Sequence, residues 1–88
     1  MIMMTEVFKK STIMSGEREY SLREVLINPA SIVVLREDEK METDLKNGNL
    51  PEDLDGRQKF TKIHLSSLNN HSITVVGDIF SIHKKIGG

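Results

Sequence analysis

The chain has 88 residues, of which 38% are apolar and 28% are charged, and its formal net charge is −1 at pH 7. These values are typical of one globular domain with a modest core, because a chain this short buries only about 60 to 65% of its unfolded surface. The absence of cysteine excludes disulfides, thiolate metal sites and cysteine nucleophiles, and the small net charge argues against a dedicated nucleic-acid-binding protein.

The first 27 residues predict a strand, a turn and then a second element. Apolar residues mixed with threonine and lysine over residues 1–14 favour an irregular or edge strand, and Ser15-Gly16-Glu17 predicts a turn. The spacing over residues 18–27 fits either a strand or a short helical turn. Charged residues follow the apolar start of the chain so closely that neither a signal peptide nor a membrane span is expected, and the prediction is a cytoplasmic protein without a membrane partner.

Two apolar runs, residues 25–27 and 32–35, flank a turn predicted at Asn28-Pro29. Successive residues of a strand point to opposite faces, so a fully apolar strand needs cover on both sides. Val33 and Leu35 are expected to point away from Ile32 and Val34. The prediction is therefore a sheet that curls into a barrel or sandwich, or a sheet whose second face is covered by another protein or a second copy, with Val33 and Leu35 as the candidate self-association residues.

Residues 37–59 are predicted to form a long, mobile acidic loop, because they show almost no periodic apolar signal. Such a loop is a candidate surface for a basic partner. Its acidic residues are Glu37, Asp38, Glu39, Glu42, Asp44, Glu52, Asp53 and Asp55. A calcium loop is not expected, since the spacing of ligands that calcium requires is missing.

After the acidic segment, residues 60–65 and 72–76 alternate between apolar and polar side chains and predict a hairpin with its turn at 68–71. Asp78 is a candidate helix N-cap, and isoleucines at helical spacing follow it. They predict a short closing helix at the C-terminus, near residues 79–86.

Motifs for chemistry are missing. No nucleophile elbow or phosphate-binding loop occurs, and the three histidines lack metal-ligand spacing, so neither an enzyme nor a metal or other cofactor is expected. A basic groove with one stacking aromatic is the alternative reading, typical of small β-barrels that bind single-stranded nucleic acid. Its candidate residues are Lys59, Phe60, Lys62, Lys84 and Lys85.

Several segments resemble the small bacterial flagellar FlbD family. Ile27-Asn28 with Ile32 is similar to its I-N-x-x-x-I segment, residues 61–65 to its T-x-I-x-L strand, and residues 73–76 to its valine strand. The isoleucines at 79, 82 and 86 are similar to those of the closing helix of that family. The resemblance implies a short β-meander with a closing helix, and a small accessory or regulatory protein without catalysis. It carries over no site residue, and residues 37–59 would be an insertion.

The predicted fold is a β-rich α+β domain spanning residues 1–88. It consists of a small curved sheet or partly open barrel of three to five mostly antiparallel strands, one short C-terminal helix and the acidic loop. The predicted function is a non-catalytic regulatory or structural module that acts through protein contacts, including self-association. The alternative is a small nucleic-acid-binding β-barrel.

Overall fold

A computed structural model describes residues 1–66 and 71–87. Within these ranges, five strands form one antiparallel sheet in the order β2-β1-β5-β4-β3, and two short α-helices accompany them. The strands are β1 (Ile2–Lys9), β2 (Tyr20–Ile27), β3 (Ile32–Glu37), β4 (Phe60–Leu65) and β5 (Ser72–Val76). The helices are α1 (Glu39–Lys46) and α2 (Ile79–Ile86). The predicted β-rich, antiparallel fold is confirmed at this level.

The N-terminal half of the chain is more regular than its sequence indicates. Residues 18–27 supply a strand, β2, which pairs with β1 in an unbroken antiparallel register. The prediction of an edge strand at the N-terminus is wrong, because β1 pairs with β5 on its other side. The turn at Ser15-Gly16 is present, with Gly16 at a φ of 85°, a conformation that glycine adopts without strain.

The connection from β2 to β3 requires the sheet to curl. It joins the two edge strands through a 3-10 helix, Pro29–Ser31, whose first free N–H is accepted by the Asn28 side chain at 3.1 Å. The chain from Ile27 to Ile32 reaches at most roughly 18 Å. In a flat sheet the edge strands alone would lie about 19 Å apart, and these two residues would sit at opposite ends of it. The edges therefore approach one another, and we call the gap between them the seam.

The inner face of the curled sheet holds the first of two cores. Met4, Ile63 and Val75 are buried there with Ile27 of β2 and Ile82 of α2. Residues of both edge strands belong to this one cluster, as expected for a concave face. The half-buried residues packed on it are Ile2, Val25, Ile32, Leu35, Leu65, Ile73 and Ile86.

Helix α2 begins after Asp78, whose carboxylate accepts the Ser81 N–H at 2.8 Å and the Ser81 hydroxyl at 3.0 Å. It ends at Gly87, which has a left-handed φ of 97°. Both are common termination devices for a short helix. Between these two ends, Ile82 and Ile86 pack the apolar side of α2 on the inner face.

The outer face holds a second core, and it corrects the prediction of an acidic loop over residues 37–59. Helix α1 and the segment that follows it lie on this face, where Met41 and Leu50 are buried with Val7 and Phe60. The half-buried residues around them are Tyr20, Leu22, Leu45, Leu54 and Val76. Four apolar residues dock the segment on the sheet: Met41 and Leu45 from α1, and Leu50 and Leu54 from the residues that follow it.

Asp38 starts helix α1. One carboxylate oxygen accepts the Met41 N–H at 3.0 Å, and the other accepts the Thr74 hydroxyl at 2.5 Å. The same side chain therefore caps the helix and ties it to the middle of the sheet. An N-cap aspartate followed by an apolar residue at the third helical position is a sequence signal for a helix start, but the surrounding acidic residues make the segment resemble a loop.

A β-bulge in β3 shows that the prediction of Val33 and Leu35 on the same face of the sheet is wrong. Ile32 pairs with Leu65 but Val34 pairs with His64, so Val33 is an extra residue on β3. The bulge shifts the alternation by one, and Leu35 packs with Ile32 on the inner core. Of the two residues, only Val33, at 64% exposure, is on the surface.

The hairpin of β4 and β5 is confirmed by its register, in which Ile63 pairs with Ile73. Residues 68–70 of the turn predicted at 68–71 lie outside the described residues.

We expect Leu50→Ala to destabilise the domain by about 2 to 3 kcal/mol, because it removes a buried side chain from the outer core. Urea unfolding measures this change. The matched control is Leu26→Ala, at a leucine that is 60% exposed, for which we expect a change within about 0.5 kcal/mol. Equal, small changes in both variants would show that the segment after α1 is detached from the sheet, as a mobile loop would be.

Candidate interaction site

An apolar pair lies uncovered at one corner of the outer face. Met3 of β1 and Leu26 of β2 are directly opposite in the register, and their side chains are 51% and 60% exposed. The outer core covers Val7 and Leu22 further along the same strands but does not reach this pair. Apolar side chains this exposed and adjacent mark a candidate contact surface.

A cleft of about 470 Å³ adjoins Leu26 at the seam. One wall comes from Leu26, Ile27 and the 3-10 connection, and the other from the end of β4. The Ser66 N–H donates to the Ser31 carbonyl at 2.7 Å and ties the two walls together. The described lining residues are Leu26, Ile27, Asn28, Ser31, Leu65, Ser66 and His71. This lining suits a residue of a bound peptide: the leucines can contact its apolar side chain, and the hydroxyl and amide groups can bond to its backbone.

Among the residues that the structure describes, strand β2 has a free backbone edge beside this cleft. The Lys10 N–H donates to the Glu19 carbonyl at 3.1 Å, so Glu19 faces β1, whereas the Tyr20 N–H points away from β1 and donates to the Asn49 carbonyl at 2.9 Å. Peptide groups alternate in direction along a strand. The N–H and C=O of residues 22, 24 and 26 therefore point outward, and no backbone group within residues 1–66 and 71–87 bonds to them.

The two charged residues in the middle of β2 differ in their surroundings. Arg23 donates from Nε to the buried carboxylate of Glu6 at 2.7 Å, and its guanidinium lies 4.3 Å from the centre of the Phe8 ring. Glu24 is exposed on the outer face, beside Leu26, and forms no ion pair within the described part of the chain. The edge thus presents one carboxylate without a cation.

We call this region the β2 corner: the Met3–Leu26 pair, the adjoining cleft, and the outward peptide groups of residues 22, 24 and 26. No motif in the sequence points to it. Its only sequence signal is the apolar run at residues 25–27, which indicates a buried strand and not an exposed end.

Most residues of the predicted acidic surface are engaged within the molecule. Asp38 caps α1, Glu42 accepts from Lys59 at 2.9 Å, and Asp44 accepts from Asn49 at 3.1 Å. Two further carboxylates have an arginine partner: Glu52 with Arg18, and Asp55 with Arg57. Glu37, Glu39 and Asp53 are exposed. The acidic groups therefore mainly hold α1 and its following segment in place.

Two of these ion pairs shift a pKa in the direction that favours the charged form of the side chain. The hydrogen bond to Glu42 and the charge of its carboxylate raise the pKa of Lys59. Hydrogen bonds from the Arg57 side chain and backbone N–H lower the pKa of Asp55. The Asp55–Arg57 pair is exposed on both sides, so it orients the segment more than it stabilises it, whereas the Glu42 carboxylate that binds Lys59 is largely buried.

The predicted nucleic-acid residues do not form one groove. Phe60 has no exposed surface and packs in the outer core, so its proposed stacking role is wrong. Lys59 is held by Glu42, and Lys62 lies on the outer face opposite Arg36. Lys84 and Lys85 are on α2, on the other side of the sheet, where Lys85 donates to the Met3 carbonyl at 3.2 Å.

Across the described ranges, no three histidine, aspartate or glutamate side chains gather as metal ligands. Neither helix in those ranges has the length and apolar character needed to cross a membrane. Comparison with protein-family models, curated proteins and solved structures finds no match to this chain. The resemblance to the FlbD family stays a prediction.

Proposed function

We propose that this chain is a non-catalytic regulatory or structural module that binds another protein at the β2 corner. The observation that carries the proposal is the position of Leu26. It belongs to the exposed apolar pair, lines the cleft and ends the free edge of β2. Apolar surface, a recess and unpaired backbone groups are the three things a protein partner can use together.

The two edges of the sheet differ in a way that supports this location. Free edges invite pairing with other chains, and proteins commonly interrupt them with bulges. Strand β3 has such a bulge at Val33, whereas β2 is regular over its eight residues. The accessory role that the FlbD resemblance implies is also compatible with a binding module.

Self-association is a separate proposal that now depends on Val33. The outer face has α1 as cover and Leu35 packs inward, so the described part of the sheet has no fully uncovered apolar face that demands a second copy. Val33→Lys should change stability by less than about 0.5 kcal/mol, because the side chain is mostly exposed. If the β3 edge mediates a dimer, sedimentation should show the variant as a monomer. A wild-type monomer at high micromolar concentration would contradict self-association.

Nucleic-acid binding has one supporting observation as an alternative. Arg36 and Lys62 are directly opposite on adjacent strands, and like charges so placed repel unless an anion joins them. A single-stranded oligonucleotide should then bind with an affinity that falls steeply as salt rises, and Lys62→Glu should abolish binding. Salt-insensitive or undetectable binding would remove this alternative.

The test of the main proposal is site-specific photo-crosslinking in cells of the source organism. A photoreactive phenylalanine analogue replaces Leu26 in one variant and Phe80, which is 80% exposed on α2, in the control. We expect a discrete protein adduct from position 26 and none of that size from position 80. The same adduct from both positions, or none from position 26, would contradict the β2 corner as the binding site.

A further inference from the structure

We infer that the partner contributes an extended segment that pairs with β2 as a sixth strand, with a basic side chain opposite Glu24 and an apolar side chain against Leu26. This inference rests on the proposed function and specifies what binds at the β2 corner. Its starting point is the row of outward peptide groups at residues 22, 24 and 26, each with one donor and one acceptor.

The length of the free edge sets the size of the occupant. Residues 22 to 26 span roughly 13 Å in a strand, which matches about five residues of an extended peptide. The edge is closed at its other end, where Asn49 already occupies the Tyr20 N–H. At the open end the cleft provides space for a side chain beyond the backbone pairing. Backbone bonds supply affinity in this mode, and side-chain recesses supply selectivity.

The side chains on the outer face define the preferred sequence. Glu24 and Leu26 are two residues apart and therefore lie on the same face. Residues of an added strand opposite them are also two apart. A cation opposite Glu24 provides the missing charge, and an apolar side chain covers Leu26 and enters the cleft. The expected motif is one basic and one apolar residue separated by a single position.

The same charges disfavour a second copy of β2 as the occupant. In a two-fold arrangement that keeps the faces aligned, the two registers with the longest overlap place Arg23 opposite Arg23, or Glu24 opposite Glu24, of the second copy. Like charges directly opposite destabilise a strand pair. Arg23 is also already engaged by Glu6 at 2.7 Å. A heterologous segment with a cation fits this edge better.

The first test selects random peptides from a display library on the full chain, with counter-selection on the Leu26→Lys variant. We expect enrichment of the basic-x-apolar or apolar-x-basic motif. Enriched peptides with apolar residues at helical spacing would overturn strand addition and leave the β2 corner standing. Failure to enrich any peptide that discriminates Leu26→Lys would count against both this inference and the proposed function. A dimer formed through β2 in the absence of peptide would overturn the choice of a heterologous occupant.

The second test separates backbone pairing from charge with one selected peptide. Glu24→Ala removes the carboxylate and keeps the outward N–H, whereas Glu24→Pro removes both. Proline is tolerated on an edge strand where its missing N–H faces solvent, so the β1–β2 pairing is preserved. We expect Glu24→Pro to bind roughly tenfold more weakly than Glu24→Ala, the effect of one lost hydrogen bond.

Amide exchange on the wild-type chain checks the same point without a substitution. On addition of the peptide, the amides of residues 22, 24 and 26 should slow, while those of 23 and 25, already bonded to β1, should change little. Equal affinity of the two Glu24 variants, together with unchanged exchange at the even positions, would overturn strand addition.

Discussion

Phe60→Ala should destabilise the domain by about 3 to 5 kcal/mol, the largest loss that we expect from any single substitution in this chain. Phe60 has no exposed surface and lies where β4, α1 and the segment after α1 meet. Removing its ring leaves a cavity that Met41 and Leu50 cannot fill without moving the helix. Because a domain of this size has a total stability of only about 5 to 10 kcal/mol, much of the population would be unfolded at moderate temperature.

The matched control for this prediction is Phe80→Ala. Phe80 is 80% exposed on α2, so its loss should change stability by less than about 0.5 kcal/mol. Urea unfolding followed by circular dichroism measures both variants. Similar stabilities for the two would show that the outer core is not formed around Phe60, and would reopen its role as a surface aromatic.

Ile63→Ala should destabilise the domain by about 2 to 4 kcal/mol through the inner core. Ile63 has no exposed surface and pairs with Ile73 on one side and Leu35 on the other. The substitution therefore opens a cavity at the centre of the concave face. We expect the loss to appear as a lower urea midpoint with an unchanged slope, since the surface exposed on unfolding hardly changes.

Ile13→Ala is the control for Ile63, because Ile13 lies in the β1–β2 connection with nearly half of its surface exposed. Its loss should be within about 0.5 kcal/mol of the wild type. A loss below about 1 kcal/mol at Ile63 would place that side chain on the surface and shift the register of the β4–β5 hairpin by one residue.

Local signals in the sequence were sufficient for the two hairpin strands and for the turns at Ser15-Gly16 and Asn28-Pro29. The alternation of Phe60–Leu65 and Ser72–Val76 indicates two half-buried strands, and Asn28-Pro29 indicates the turn where the 3-10 helix forms. Asp78 is followed directly by α2. In each case the deciding interaction lies within a few residues, between a side chain and nearby backbone or between adjacent strands, so composition and spacing are enough to reveal it.

Helix α1 was not predictable in the same way. Its charged side chains give the segment the composition of a mobile loop, and only Met41 and Leu45 mark an apolar side. The free energy that orders the helix comes from contacts with Phe60 and Val7, which are distant in sequence. The ordering of the segment also brings several of the acidic residues that were predicted to face a partner into contact with Lys59, Asn49 and two arginines.

The candidate site depends entirely on the tertiary structure. Strand order places β1 inside the sheet and leaves β2 at its edge, although both segments are apolar enough for either position. The bulge at Val33 turns Leu35 inward and interrupts the β3 edge. The curl brings Ile27 and Leu65 to the same cleft. Apolar alternation is enough to predict the two strands of the β4–β5 hairpin, but it leaves residues 18–27 open between strand and helix. The pairing of distant strands, the bulge and the curl decide which described backbone groups remain free at Leu26.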